Sequence, residues 1–140
     1  MNRYRLSDLS VGMRESFSVT VTEDKAESFF GITGDDNPLH RDEAYAKGQG
    51  FPGKVSYGML TASFLSTLAG VYLPGERSLI QSVETKFLKP VFPGDVLTVE
   101  GTVTEIHESV RQIVLKTVIT NQDDIKVVKG TMKIGVRDDG

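Results

Sequence analysis

The chain has 140 residues, the size of one ordinary domain, so we expect a single domain spanning residues 1–140. Hydrophobic residues make up 39% and charged residues 25%, which excludes a disordered chain and a chain built of membrane spans. The formal net charge is -3 and no basic stripe stands out, which argues against nucleic acid as a partner.

The chain contains no cysteine, which excludes disulfides, thiolate nucleophiles and thiolate metal sites. His40 and His107 are the only histidines, too few for a histidine metal cluster, so we expect no metal. Residues 1–13 lack an apolar core of signal-peptide length, and hydroxyl residues interrupt the longest apolar stretch, from Met59 to Leu73. We therefore expect a cytoplasmic protein that does not enter a membrane.

The first half of the chain is mainly helical. Glu15 to Val21 alternates apolar and polar residues, which predicts a short half-buried strand. Thr22 is a suitable N-cap for a helix from Glu23 to Thr33, which Gly34 would end.

The following segment has the composition of turns and loops. Gly34 to His40 contains Asp-Asp-Asn-Pro, which predicts a turn, and Asp42 to Ala46 fits a single helical turn. Lys47 to Lys54 contains three Gly and one Pro, which predicts a loop at the rim of a site. Ser56 to Leu73 then carries apolar or small residues on almost every face, so we expect a long helix surrounded by protein.

In the second half the period changes to two residues, which predicts long strands. These are Ser78 to Phe87, with Leu79, Val83 and Phe87 on one face, then Val96 to Val103, Val110 to Thr120 and Ile125 to Val136. The short turns between the later strands require antiparallel neighbours. One helix with a long antiparallel sheet predicts an α+β fold in which the sheet wraps around the helix.

The candidate chemistry lies in Gly34-Asp35-Asp36-Asn37-Pro38-Leu39-His40. An aspartate and a histidine five residues apart, folded together by a turn, suit paired proton transfer, because imidazole titrates near neutrality. The alternative is that Asp35, Asp36 and Asn37 only stabilise the turn, with His40 an incidental neighbour.

The motif Gly-Asp-x-Asn-Pro-x-His resembles the hydratase motif of the MaoC-like family, which includes the (R)-specific enoyl-CoA hydratases. The resemblance covers roughly residues 10 to 136 and has further landmarks in the same order. They are Phe30, Thr33, Asp42, Ala46, Gly58-Met59-Leu60, Ala62-Ser63, Phe87-Leu88-Lys89-Pro90-Val91 and Gly94-Asp95. The family fold is the hot dog, an antiparallel sheet wrapped around a long central helix, in agreement with the periodicity.

The resemblance implies that Asp35 and His40 are the catalytic pair, holding a water that adds to a trans-2-enoyl thioester to give an (R)-3-hydroxyacyl product. Our hypothesis is that Asp35 takes a proton from the water attacking C3, and that His40 completes the proton transfer to C2. Gly58 matches the family position at the first residue of the central helix. The resemblance implies that its backbone N–H, at the positive end of the helix dipole, stabilises the enolate oxygen.

Other positions have two readings. Asn37 is expected to stabilise the turn, with a contact to water as a further role, and Asp36 to be a solvated turn residue. Ser66 matches a small polar family position that faces the site, although a small residue is equally suited to helix packing. His107 is expected to be an exposed residue between two strands.

Tyr57 departs from the family pattern, which usually has His before the Gly-Met of the central helix. The backbone donor of Gly58 is unaffected by this change. Tyrosine is larger than histidine and does not become cationic near neutral pH, so we expect Tyr57 to reshape the acyl pocket.

Three functions are compatible with the residues and the resemblance. The first is an enoyl thioester hydratase, or the reverse 3-hydroxyacyl dehydratase, and the second is a hot-dog acyl-CoA thioesterase, which typically lacks this motif. The third is a non-catalytic module that binds acyl thioesters.

The resemblance also implies partners. The substrate would be an acyl-CoA or acyl-carrier thioester, with no separate cofactor and no metal, and the phosphates of CoA could meet Lys86, Lys89 or Arg77. A single sheet around one helix leaves an edge to be covered, so we expect a homodimer with two sites near the interface.

Overall fold

A five-stranded antiparallel sheet forms the body of the computed structural model, which describes residues 1–138. Its strands are β1 (Arg14–Thr20), β2 (Ser78–Phe87), β3 (Val96–His107), β4 (Gln112–Thr120) and β5 (Lys126–Val136). The order across the sheet is β1-β3-β4-β5-β2, so β1 and β2 are its two edges. Every pairing is antiparallel, which confirms the sheet predicted from the short turns.

Within the described residues, four α-helices lie between β1 and β2 along the chain. They are α1 (Glu23–Thr33), α2 (Pro38–Arg41), α3 (Glu43–Gly48) and α4 (Gly58–Thr67), and α4 continues as a π-helical segment, Leu68–Tyr72. The bounds of α1 are as predicted, whereas the predicted turn over residues 34–40 contains the start of α2. Short 3-10 turns lie at Leu6–Asp8 and Glu108–Val110. Within residues 1–138, no helix has the length and hydropathy to cross a membrane.

The concave face of the sheet packs on one side of α4 and its π-helical extension. Leu60, Leu65 and Leu68 are at most 7% exposed, and they belong to the same apolar cluster as Leu97 of β3 and Leu115 of β4. Every second residue from Leu97 to Val103 in β3 and from Ile113 to Ile119 in β4 is buried, so one face of each strand supplies this core. The α+β prediction is confirmed, and the fold is the hot dog.

The prediction that protein surrounds the central helix is wrong for the single chain. Met59 is 65% exposed, and Ser63 and Ser66 lie on the same uncovered side of α4. The sheet curls around the other side only, and its edge strand β2 does not close over the helix. One apolar side of α4 is therefore left open next to β2.

A bulge also changes the predicted face of β2. Leu79 pairs with Gly135 and Val83 pairs with Met132, and the register shifts between residues 80 and 82. Because Gly135 and Met132 point to opposite faces of β5, the bulge puts Leu79 on the convex face and leaves Val83 on the concave face. The prediction that Leu79, Val83 and Phe87 share a face is therefore wrong for Leu79.

Gly31 offers a test of helix stability that does not touch the core. It lies inside α1, and a Cβ atom built there has no neighbour within 4 Å. We expect Gly31→Ala to raise the free energy of unfolding by about 0.5 to 1 kcal/mol, because alanine loses less backbone entropy in a helix. Denaturant unfolding of the two proteins measures this, and a less stable variant would contradict it.

Candidate active site

The geometry of the loop after α1 comes from local hydrogen bonds. The hydroxyl of Thr33 donates to the carbonyl of Phe29 at 3.0 Å and accepts from the backbone N–H of Asp35 at 3.2 Å. Gly34 follows in the left-handed conformation, with φ of 70°, and its N–H bonds the carbonyl of Phe30 at 2.7 Å. Glycine suits this helix C-cap because it lacks the Cβ that strains other residues there. The chain thus leaves α1 sharply and presents Asp35.

Asn37 shapes the second half of this loop. Its backbone N–H donates to Oδ1 of Asp35 at 3.2 Å, and its own Oδ1 accepts from the N–H of Leu39 at 3.0 Å. Its carbonyl accepts from the N–H of His40 at 3.0 Å. Asn37 therefore caps α2 and closes a turn between Asp35 and His40, which are the contacts expected of a turn-stabilising residue.

The imidazole of His40 is half-buried and oriented by one strong contact. Its Nδ1 lies 2.7 Å from the carbonyl oxygen of Val55. A carbonyl oxygen only accepts, so Nδ1 carries the hydrogen in this contact, and the lone pair of the neutral ring is on Nε2. Nε2 is therefore the nitrogen with which His40 can exchange a proton.

Asp35 and His40 line the same cavity, which has a volume of about 760 Å³ and lies between α1, α4 and β2. Its other lining residues are Phe29, Thr33, Tyr57, Gly58, Met59, Ala62, Ser63, Val83, Thr85 and Phe87. The structure thus brings together four of the predicted site residues: Asp35, His40, Tyr57 and Gly58. Ser66 and Asn37 are not among the lining residues of the single chain, and Ser66 lies further along the exposed side of α4.

Gly58 is the first residue of α4 and borders the cavity. The first N–H groups of a helix have no partner inside it, and the helix dipole favours negative charge at that end. A Cβ atom at Gly58 would lie 3.2 Å from the ring of Phe87. Glycine at this position therefore leaves the backbone N–H accessible and the space in front of it empty.

Tyr57 is built into the wall of the cavity. It is 2% exposed, and its ring centre lies 4.3 Å from that of His40 and 5.1 Å from that of Phe29. Its hydroxyl donates to the backbone carbonyl of Asp35 at 2.8 Å. Tyr57 thus contacts the segments that carry both members of the predicted pair.

Arg41 is a part of this site that the sequence did not indicate. Its guanidinium lies 3.7 Å from the ring centre of Phe30 and forms ion pairs with Glu27 at 3.2 Å and Asp36 at 3.3 Å. A side-chain hydrogen bond with Tyr57 raises the pKa of the Arg41 guanidinium. Asp36, expected to be a solvated turn residue, is 79% exposed at its side chain but pairs with Arg41. No residue spacing indicates the ion pair of Arg41 with Glu27 or its contact with Phe30, so only the fold reveals them.

The basic residues expected near CoA phosphates differ in their surroundings. Arg77 is 8% exposed and donates from Nη1 to the carbonyl of Arg3 at 2.6 Å, which does not favour the expected contact with phosphate. Lys86 and Lys89 are exposed, and Lys89 and His40 both line a smaller adjoining cavity of about 260 Å³. His107 ends β3, is exposed and lies 3.3 Å from Glu105, which confirms the expected exposed position.

A family model described as a MaoC like domain matches residues 10–124 of the chain. The (R)-specific enoyl-CoA hydratase of Aeromonas caviae is 35% identical over 122 residues, which cover 87% of this chain and 91% of that protein. The 3-hydroxybutyryl-CoA dehydratase of Methylorubrum extorquens is 33% identical over 99 residues, which cover 71% of this chain and 63% of that protein.

Solved structures show the same fold. The unliganded R-hydratase PhaJ1 from Pseudomonas aeruginosa matches with a TM-score of 0.91 and 29% identity, over 96% of this chain and 86% of that one. The (R)-hydratase of A. caviae, described as involved in PHA biosynthesis, matches with a TM-score of 0.88 and 33% identity, over 92% and 98% of the two chains.

Proposed function

Because the chain belongs to the MaoC-like family, whose named relatives are hydro-lyases, we propose that it adds water to trans-2-enoyl-CoA. The product is (R)-3-hydroxyacyl-CoA, and the same site catalyses the reverse dehydration. The observation that carries this proposal is that Asp35 and His40 line one cavity beside the N-terminus of α4. The names of the relatives support CoA as the carrier of the acyl group.

The proposed reaction uses the two side chains on one water molecule. The carboxylate of Asp35 takes a proton from water as the water oxygen bonds to C3. The electron pair of the C2=C3 double bond then forms a bond between C1 and C2, and the carbonyl π pair moves to the thioester oxygen, which gives the enolate. The proton passes from Asp35 to the lone pair on Nε2 of His40 and from there to C2, so both side chains return to their starting states. Since the carbonyl of Val55 occupies Nδ1, we assign this transfer to Nε2.

The N-terminus of α4 supplies the stabilisation that the enolate needs. The backbone N–H of Gly58 borders the cavity, and preorganised donors of this kind stabilise charge that develops in the transition state. The aromatic rings of Phe29 and Phe87 and the side chain of Met59 provide an apolar wall for the acyl chain.

Two other functions give different products, so product analysis separates them. Hydration of crotonyl-CoA adds one water and keeps the thioester, a thioesterase releases free CoA, and a binding module leaves the substrate unchanged. We expect mass spectrometry to find 3-hydroxybutyryl-CoA without free CoA, and chiral analysis to find the (R) product. Free CoA as the main product would contradict the proposal and favour the thioesterase.

We further propose that the chain acts as a homodimer joined through β2. On this edge strand the apolar residues Val83 and Phe87 are 48% and 51% exposed. The exposed residues of the opposite edge strand, β1, are polar instead: Arg, Ser and Thr. Val83 and Phe87 also line the cavity, which opens on the uncovered side of α4. A second copy paired at β2 would cover this apolar strip and complete the wall of the cavity.

Gly58→Ala tests the role of the first turn of α4. The added methyl group would lie 3.2 Å from the ring of Phe87, so the ring must move within the cavity. We expect kcat/KM for crotonyl-CoA to fall by about tenfold or more, because small displacements at a reacting centre are costly.

The matched control for this variant is Gly48→Ala. A Cβ atom at Gly48 has no neighbour within 4 Å, and Gly48 ends α3 outside the cavity. We expect its kcat/KM to stay within about twofold of the wild-type value, because an exposed substitution of this kind changes little. Equal effects of the two substitutions would show that Gly58 has no special role.

A further inference from the structure

We propose that Tyr57 is the positioning residue that holds the loop of Asp35 against the imidazole of His40. This inference rests on the proposed function and adds to it one residue outside the Asp-x-Asn-Pro-x-His motif. Tyr57 acts through Asp35 and His40 and performs no step of the reaction itself.

The first argument concerns how the Asp35 loop is held. The hydrogen bonds of Asp35 to Thr33 and Asn37 lie within the loop, so they shape it without fixing it to α4. The Tyr57 hydroxyl bonds the Asp35 carbonyl across 22 positions in the sequence, at 2.8 Å. This bond therefore ties the exposed loop to the start of the central helix.

The second argument is that one short segment, residues 55–58, contacts every proposed part of the site. The carbonyl of Val55 holds Nδ1 of His40, the hydroxyl of Tyr57 holds the Asp35 backbone, and Gly58 begins α4. The Tyr57 ring also lies against the imidazole, at 4.3 Å between centres and 33° between planes. A shift of the Tyr57 ring would therefore alter the relative positions of Asp35 and His40.

The third argument concerns Arg41, which supports the same loop from the side of α2. Its guanidinium forms ion pairs with Asp36 at 3.3 Å, one residue after Asp35, and with Glu27 of α1 at 3.2 Å. Arg41 thus links the loop to α1, whereas the Tyr57 hydroxyl is the contact that links it to the start of α4.

Tyr57→Phe tests the proposal because it keeps the ring and removes only the hydroxyl. We expect kcat for crotonyl-CoA to fall by about tenfold while KM changes by less than about twofold, since the loss affects alignment and not substrate contact. Tyr45→Phe is the matched control, because Tyr45 is exposed on α3 and lies outside the cavity. A Tyr57→Phe enzyme with wild-type kcat, or with the whole effect in KM, would overturn the proposal.

A second readout does not depend on activity. The chain has two histidines, so the imidazole signals in a ¹H–¹⁵N spectrum are those of His40 and His107. We expect Tyr57→Phe to shift the His40 signals, while His107 stays unchanged and reports an intact fold. His40 signals of Tyr57→Phe that coincide with those of the wild type would overturn the proposal.

The two readouts also separate this inference from the proposed function. If the wild-type protein hydrates no enoyl thioester, the proposed function fails, and the His40 shift still decides whether Tyr57 positions the ring. If the wild-type protein is active and the His40 signals do not respond, only the positioning role fails.

Discussion

Asp35→Asn and His40→Ala should each lower kcat for crotonyl-CoA by about two to four orders of magnitude, the usual contribution of a positioned acid or base. Asp35→Asn keeps the size of the side chain and an oxygen for the N–H of Asn37, so the turn is retained while the proton acceptor is lost. His40→Ala removes Nε2 and also the contact of Nδ1 with the carbonyl of Val55.

Controls of the same chemistry are available elsewhere in the chain. Asp123→Asn changes an exposed aspartate in the turn between β4 and β5, and His107→Ala changes the exposed histidine that ends β3. We expect both to keep kcat within about twofold of wild type, as surface substitutions usually do. Circular dichroism should show that all four variants are folded. Near wild-type rates in both Asp35→Asn and His40→Ala would contradict the proposal that these two residues are the catalytic pair.

Val83→Lys should convert the proposed dimer to a monomer. Val83 lies on β2, the edge strand that exposes apolar side chains, and a lysine there places a charge where a second copy would pair. In the single chain Val83 is 48% exposed, so the lysine has access to water and the fold is kept. We expect light scattering to give twice the 15.3 kDa chain mass for wild type and the chain mass for the variant.

Val11→Lys is the matched control for the interface. Val11 is 65% exposed and precedes β1, at the opposite edge of the sheet, so the same change of charge should leave the mass unaltered. A monomeric wild-type protein at micromolar concentration would contradict the proposed dimer, and so would a Val83→Lys protein with unchanged mass. Because Val83 also lines the cavity, the mass and not the activity is the measurement that decides.

The parts of the fold that depend on local signals were predictable from the sequence. The helix α1 has the predicted bounds because Thr22 accepts from the N–H of Lys25 as an N-cap and Gly34 adopts a left-handed C-cap. The buried faces of β3 and β4 follow their alternation of residues, and the motif from Gly34 to His40 identified a segment that does line the cavity.

The remaining features depend on contacts between distant segments. The bulge in β2 places Leu79 on the opposite face of the sheet from Val83. A bulge inserts an extra residue into a strand, and the alternation of apolar and polar residues does not indicate where. Arg77 is buried because its guanidinium reaches the backbone of Arg3 near the other end of the chain. The exposed side of α4 was not predicted either, since apolar residues on every face of a helix do not tell whether the same chain or a second copy covers them.

The same limit applies to the site. Tyr57 stood out as a departure from the family pattern, with an expected effect on the acyl pocket, but its hydrogen bond to Asp35 spans two loops. Arg41 follows His40 directly in the sequence and had no assigned role, because it reaches Glu27 and Phe30 only in the folded chain.

The loss of the ultraviolet absorbance of crotonyl-CoA, followed with wild-type protein and with Asp35→Asn in parallel, tests the central claim most directly. Water addition removes the conjugated double bond, so the proposed function predicts a steady loss of this absorbance with wild type, without release of a free thiol. With Asp35→Asn the loss should be slower by about two orders of magnitude or more. Unchanged absorbance with the wild-type protein, or an equal rate of loss with Asp35→Asn, would contradict the account.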